Sequence, residues 1–122
     1  MILVDTDIFI DHFRNFKSST AFIENTAADI AVSVLTVTEI LSGKDCEKSE
    51  VRSQIEDFFS SMKKIEVDLN MAKKAGEFRR VYGISLVDAI IAATAFELKI
   101  PLCSRNKKDF GKIKQIELKI PY

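Results

Sequence analysis

From its first residues the chain alternates between short apolar runs with the character of buried strands and longer runs with helical periodicity. Ile2-Leu3-Val4, Ala31-Val32-Ser33-Val34-Leu35 and Leu102-Cys103-Ser104 are of the first kind. Such short, β-branched runs bounded by other signals read as strands. Strands separated by helices are joined by crossovers, which carry the chain back over a sheet face and leave the strands parallel. The expected fold is therefore α/β: a three-layer sandwich, with a mostly parallel sheet of about five strands and helices on both faces.

The expected strands are 2–4, 30–35, 64–67, 102–104 and 116–120. Helices are expected over 7–14, 18–27 with Ser18 or Ser19 as N-cap, 37–41, and 45–62. Val51, Ile55, Phe58, Phe59 and Met62 in the last of these follow the spacing of one helix face. A further helix is expected from Asp68 as cap to Gly83 as stop. The run Leu86–Leu98 is apolar nearly all round, so it reads as a buried helix. Proline is tolerated at a strand's start, where Pro101 stands. With 122 residues and no repeat or linker, residues 1–122 read as one domain.

A net charge of zero argues against a protein that coats nucleic acid by bulk charge, although a local basic rim remains open. No apolar stretch reaches the about 18 residues needed to cross a bilayer. No basic n-region precedes an apolar run, so no signal peptide is expected, and a cytoplasmic location is. Cys46 and Cys103 read as reduced thiols. The single His12 reads as a helix-surface residue and removes most zinc and Ser-His-Asp chemistry.

Three acids stand where strand-like runs give way to helix-like ones: Asp5, Glu39 and Asp88. In an open parallel sheet all such junctions lie on one edge, where ligands bind. Clustered carboxylates raise one another's pKa unless a cation joins them, and Mg²⁺ or Mn²⁺ prefers oxygen ligands. Capping competes with this reading for each acid taken singly. Thr36-x-x-Glu39 and Ser85-x-x-Asp88 match the capping box, and Asp5 or Thr6 suits the cap of the first helix. Asp7 reads as a first-turn residue or as a group that orients water. Asp11, one turn on, is expected to face solvent. After the fourth strand, Ser104 can hydrogen-bond a carboxylate and Asn106 can offer a carbonyl oxygen. Arg105 and Lys107 can bind phosphates; an ordinary polar turn is the alternative. The early phenylalanines, Phe9, Phe13, Phe16 and Phe22, read as core or as the lining of a groove for a partner helix.

Together these pieces resemble the PIN-domain family, and within it the VapC-type toxins of toxin–antitoxin pairs. The matching motifs are Ile2-Leu3-Val4-Asp5-Thr6-Asp7, Thr38-Glu39-Ile40, Ser85-Leu86-Val87-Asp88-Ala89-Ile90-Ile91-Ala92-Ala93 and Ser104-Arg105-Asn106-Lys107-Lys108-Asp109-Phe110. The resemblance covers essentially the whole chain. It implies an endoribonuclease that uses Mg²⁺ or Mn²⁺ and a metal-activated water on RNA. It implies Asp5, Glu39 and Asp88 as metal ligands, Asn106 at a further catalytic position, and a cognate antitoxin and a homodimer as partners. Many relatives carry Asn where Asp7 stands and an acid where Asn106 stands, so Asp109 is a candidate substitute.

Two other readings stay open. Asp5-Thr6-Asp7 also looks like the start of a haloacid-dehalogenase-type phosphatase, whose first Asp is a nucleophile. A non-catalytic module that keeps the fold is the other.

Overall fold

The computed structural model describes all of residues 1–122. Its strands are β1 (Ile2–Val4), β2 (Ile30–Ser33), β3 (Lys63–Ile65), β4 (Leu102–Cys103) and β5 (Leu118–Lys119). The helices are α1 (Thr6–Phe13), α2 (Lys17–Thr26), α3 (Val34–Leu41), α4 (Ser49–Ser60), α5 (Leu69–Tyr82), α6 (Leu86–Leu98) and α7 (Lys107–Phe110). All strand pairs are parallel, in the order β3-β2-β1-β4-β5.

This order decides where a site can form. From β1 the chain steps outward through β2 to β3, then returns to the other side of β1 as β4 and β5. The direction reverses between β1 and β4. Connections leaving these neighbouring strands pass to opposite faces and open a crevice at their carboxyl ends.

Alternation along the strands separates two cores. Leu3, Ala31, Ile65 and Leu102 pack with Met71, Phe78 and Ile91 from α5 and α6, and with Phe110. Val4, Ile30, Val32 and Cys103 pack with Ile8, Phe9, Ile23, Ile40, Ile55 and Phe59 from α1 to α4. The expected three-layer sandwich is observed. No helix is long and apolar enough to cross a membrane.

Several boundaries move, each for a local reason. Ser33 ends β2 because its Oγ accepts from the Leu35 N–H at 3.1 Å, so α3 begins at Val34 rather than at 37. Residues 45–62 do not form one helix. A 3₁₀ turn spans Lys44–Glu47 and Lys48 is extended before α4. Arg52 stabilises the break by donating to the Cys46 and Glu47 carbonyls. Neither Ser18 nor Ser19 caps α2, which begins at Lys17; buried Ser19 donates to the Ile8 carbonyl of α1 instead. Asp68 caps α5 at Met71, and Gly83, at φ 66°, ends it in the left-handed conformation that glycine adopts without strain. His12 is partly buried, bonded to Thr20 at 2.9 Å and stacked on Phe58. Phe9 is fully buried, whereas Phe13 and Phe16 stay 38% and 47% exposed.

Candidate active site at the switch point

β1 runs directly into Asp5, whose extended backbone makes it the N-cap of α1; its Oδ1 accepts from the Thr6 N–H at 2.8 Å. From the adjacent end of β4, the Ser104 hydroxyl donates to Asp5 Oδ2 at 2.9 Å and lies 3.3 Å from Asp7 Oδ2. One hydroxyl proton thus faces two carboxylates. The Arg105 N–H donates to Asp7 Oδ2 at 3.0 Å, and the Asn106 N–H to Ser104 Oγ at 3.0 Å. Asp5 and Ser104 are both buried.

Burial raises the Asp5 carboxyl to about 7, with the Asp7 charge adding to it and the bonds from Ser104 and Thr6 opposing it. Burial raises Asp7 as well, against the Arg105 and Ser104 bonds. The second oxygen, Asp7 Oδ1, is buried with no hydrogen-bond partner.

Glu39 and Asp88 form the open lip of the crevice. Glu39 is the sixth residue of α3, past the first turn, so the capping reading does not hold for it. Its Oε1 accepts from the Thr6 hydroxyl, which shares a 3.0 Å hydrogen bond with Thr36. Asp88 sits in the first turn of α6, and its N–H donates to the capping Ser85 Oγ at 3.2 Å, as the capping reading expects. Burial raises the Asp88 carboxyl against the Ser85 bond, and the charges of Asp109, Glu39 and Asp7 raise it further. Asp5, Asp7, Glu39, Asp88 and Asp109 therefore share one electrostatic field.

The segment after β4 divides its predicted residues. Asn106 is the N-cap of α7: its Oδ1 accepts from the Asp109 N–H at 3.2 Å and its Nδ2 donates to Asp109 Oδ2 at 3.1 Å. Asp109, not Asn106, brings charge toward Asp88. Lys107 is exposed and forms no ion pair. Arg105 pairs with Asp11 at 2.9 Å, and the Tyr122 hydroxyl donates to the same Asp11 oxygen at 2.7 Å. Asp11 is thus engaged rather than simply facing solvent. The contacts that Thr6, Thr36, Asp11 and Tyr122 make at the site escape sequence reasoning. Only the position of Thr6 between two acids hints at a role.

As they stand, no three acidic, histidine or cysteine side chains form a group able to hold a metal ion. Glu39 is turned to Thr6, Asp5 to Ser104, and Asp109 to Asn106. The donor set still fits a hard divalent cation once those side chains rotate. It is all oxygen, it has an unpartnered buried oxygen on Asp7, and no ion pair engages Asp5, Asp7, Glu39 or Asp88.

A parallel sheet with acids gathered at its switch point defines a class of α/β proteins with a carboxylate-lined crevice. The PIN domain family model matches residues 2–116, and the chain belongs to that family. Ribonuclease VapC19 of Mycobacterium tuberculosis is 33% identical over 118 residues, covering 90% of this chain and 92% of that protein. Ribonuclease VapC1 of Methanocaldococcus jannaschii is 30% identical over 125 residues, covering 98% of this chain and 85% of that protein. Among solved structures, a toxin–antitoxin complex from Klebsiella pneumoniae superposes with a TM-score of 0.88 at 29% identity, covering 100% of this chain and 98% of that one.

Proposed function

We propose that this protein is a VapC-type endoribonuclease, the toxin of a toxin–antitoxin pair, and that it hydrolyses RNA phosphodiester bonds with Mg²⁺ or Mn²⁺. The carrying observation is the set of carboxylates without basic partners at the crevice between β1 and β4, in a chain similar to ribonucleases over most of its length. Membership of the PIN family sets the phosphatase alternative aside.

Asp5, Glu39 and Asp88 are the residues that would hold the cation, with Asp7 and Asp109 beside them. A bound divalent cation supplies a more acidic water and neutralises charge at a phosphoryl group. The chain's own residues orient the rest. Ser104 holds Asp5 close to Asp7, and Thr6 restrains the long Glu39 side chain. Lys107, like its neighbour Lys108, is exposed, forms no ion pair and is available to a substrate phosphate. Arg105 can serve in that role only by leaving Asp11. His12, committed to Thr20 and Phe58, offers no general base here, so proton transfer falls to carboxylates and water.

The antitoxin reading draws on the complex from Klebsiella pneumoniae and on an open groove of about 490 Å³. Ile10, Phe13, Val51, Ile55 and Phe58 line it, and it reaches Glu39. An amphipathic partner helix seated there covers exposed apolar surface and ends beside the acids.

The test is a gel of total RNA incubated with purified, antitoxin-free protein in Mg²⁺, beside EDTA and Asp88→Asn lanes. Discrete products in the wild-type Mg²⁺ lane alone are expected. Intact RNA in every lane, from folded protein, would favour the non-catalytic module. A melting curve adds an independent reading: Mg²⁺ at 100 times its dissociation constant should stabilise the folded protein by ~2.7 kcal/mol.

A further inference from the structure

We propose that Asp11 and Tyr122 are positioning residues: by holding the Arg105 guanidinium they pin the Ser104–Asn106 segment to α1, and so set Ser104 between Asp5 and Asp7. The inference rests on the nuclease reading above.

β4 is two residues long; the Cys103 carbonyl accepts from the Asp5 N–H and the Ser104 N–H donates to the Lys119 carbonyl, and beyond Ser104 no ladder bond holds the segment. Ser104, just beyond it, nevertheless has to meet two carboxylates on α1. The structure supplies an external tie. Asp7 and Asp11 lie one turn apart on the same face of α1. Asp7 takes the backbone N–H of Arg105 and Asp11 takes its side chain, at 3.0 and 2.9 Å. Tyr122 donates to the same Asp11 oxygen at 2.7 Å, and burial pushes its phenol up to about 12, so it remains a donor.

The guanidinium lies 5.8 Å from the Phe16 ring and 5.5 Å from the Tyr122 ring, and those rings are 5.5 Å apart. A planar guanidinium can lie beside these rings while directing an N–H at Asp11, a geometry that a lysine ammonium does not reproduce. An isolated exposed ion pair contributes little. Here one carboxylate oxygen joins α1, the segment after β4 and Tyr122, with the two neighbouring rings of Phe16 and Tyr122 beside the guanidinium. The charge of Arg105 is balanced within the protein, which marks it as a tie rather than as a free ligand for substrate phosphate.

Steady-state RNA cleavage by Asp11→Ala, Tyr122→Phe, Arg105→Lys and the Asp11→Ala/Arg105→Lys double variant tests this. Amide hydrogen exchange of the same proteins is read without RNA or metal. In Asp11→Ala and Arg105→Lys, kcat should fall roughly ten-fold with KM unchanged, because a small misplacement at the site is costly. Tyr122→Phe should show a smaller fall, and the double variant should be no worse than either single one. Exchange at the Arg105 and Asn106 amides should speed up roughly ten-fold in Asp11→Ala while Leu3 and Val4 stay protected. A lower KM in Asp11→Ala would overturn the proposal, since it would identify Arg105 as a phosphate ligand restrained by Asp11. Unchanged exchange at Arg105 and Asn106 would also overturn it. If the wild type cleaves no RNA, the nuclease reading fails separately and the exchange result still decides whether the tie exists.

Discussion

Asp5 and Asp7 lie in a closed corner between β1 and β4, whereas Glu39 and Asp88 stand on a lip supplied by α3 and α6. In the corner, burial is the dominant influence, and it lifts Asp5 to about 7. Its compensation is a few fixed donors: one hydroxyl and the backbone N–H groups of Thr6 and Arg105. On the lip, Glu39 is open to solvent and Asp88 sits beside a Ser85 cap. The corner is closed and electrostatically costly to charge; the lip is open to solvent at Glu39.

The largest test of this contrast is Asp5→Asn. RNA cleavage should fall by roughly a hundred-fold or more, as for loss of a group facing developing charge. Metal-free stability at neutral pH should nevertheless rise, because the substitution removes a buried charge. A loss of stability measured in urea would show that the corner is not costly.

The next test is pH. Folded Asp5 keeps its proton up to about 7, whereas the unfolded chain loses it near 3.8. The folded state therefore binds more protons between those values, and this group makes stability fall as pH rises through that window. The penalty is on the order of 4 kcal/mol by the conversion of about 1.4 kcal/mol per pKa unit. Metal-free wild type compared with Asp5→Asn in thermal melts at about pH 4.5 and about pH 8, near the two ends of that window, should differ most at the higher pH. Equal differences at both ends would argue that Asp5 titrates normally.

The lip gives smaller effects on stability, and it should separate capping from chemistry. Ser85→Ala should cost about 1 kcal/mol of stability with cleavage retained, since it removes the cap of α6. Asp88→Asn should leave stability nearly intact and abolish cleavage. If the two variants behaved alike in both assays, Asp88 would be a capping residue only. The smallest effect is expected for Asn106→Ala, about 0.5–1 kcal/mol from the lost cap of α7, with cleavage falling less than in Asp88→Asn. Loss of cleavage equal to that of Asp88→Asn would give Asn106 a direct role that its bonds to Asp109 do not suggest.

Two identical local patterns show where reading the chain stops. Thr36-x-x-Glu39 and Ser85-x-x-Asp88 both match a capping box. Only in the second does the hydroxyl residue cap its helix, Ser85 Oγ accepting from the Asp88 N–H at 3.2 Å. Ser33 captures the start of α3 three residues early, and this moves Glu39 into the helix body and out toward the crevice. The competition between Ser33 and Thr36 for the cap depends on where β2 stops pairing, which is a property of the sheet.

The alternation of strands and helices, the parallel sheet and the acids at the strand ends are legible in the chain before it folds. These follow from local hydrophobic spacing and from the chain rule that puts all such junctions on one edge. The motifs at Asp5, Glu39, Asp88 and Ser104 were legible for the same reason. The strand order placing β4 beside β1, the rise of Asp5 to about 7, and the meeting of Asp11, Arg105 and Tyr122 were decided by the tertiary structure alone. Burial and contacts between residues a hundred positions apart have no signature in local spacing; they exist only once the two cores have packed against the sheet.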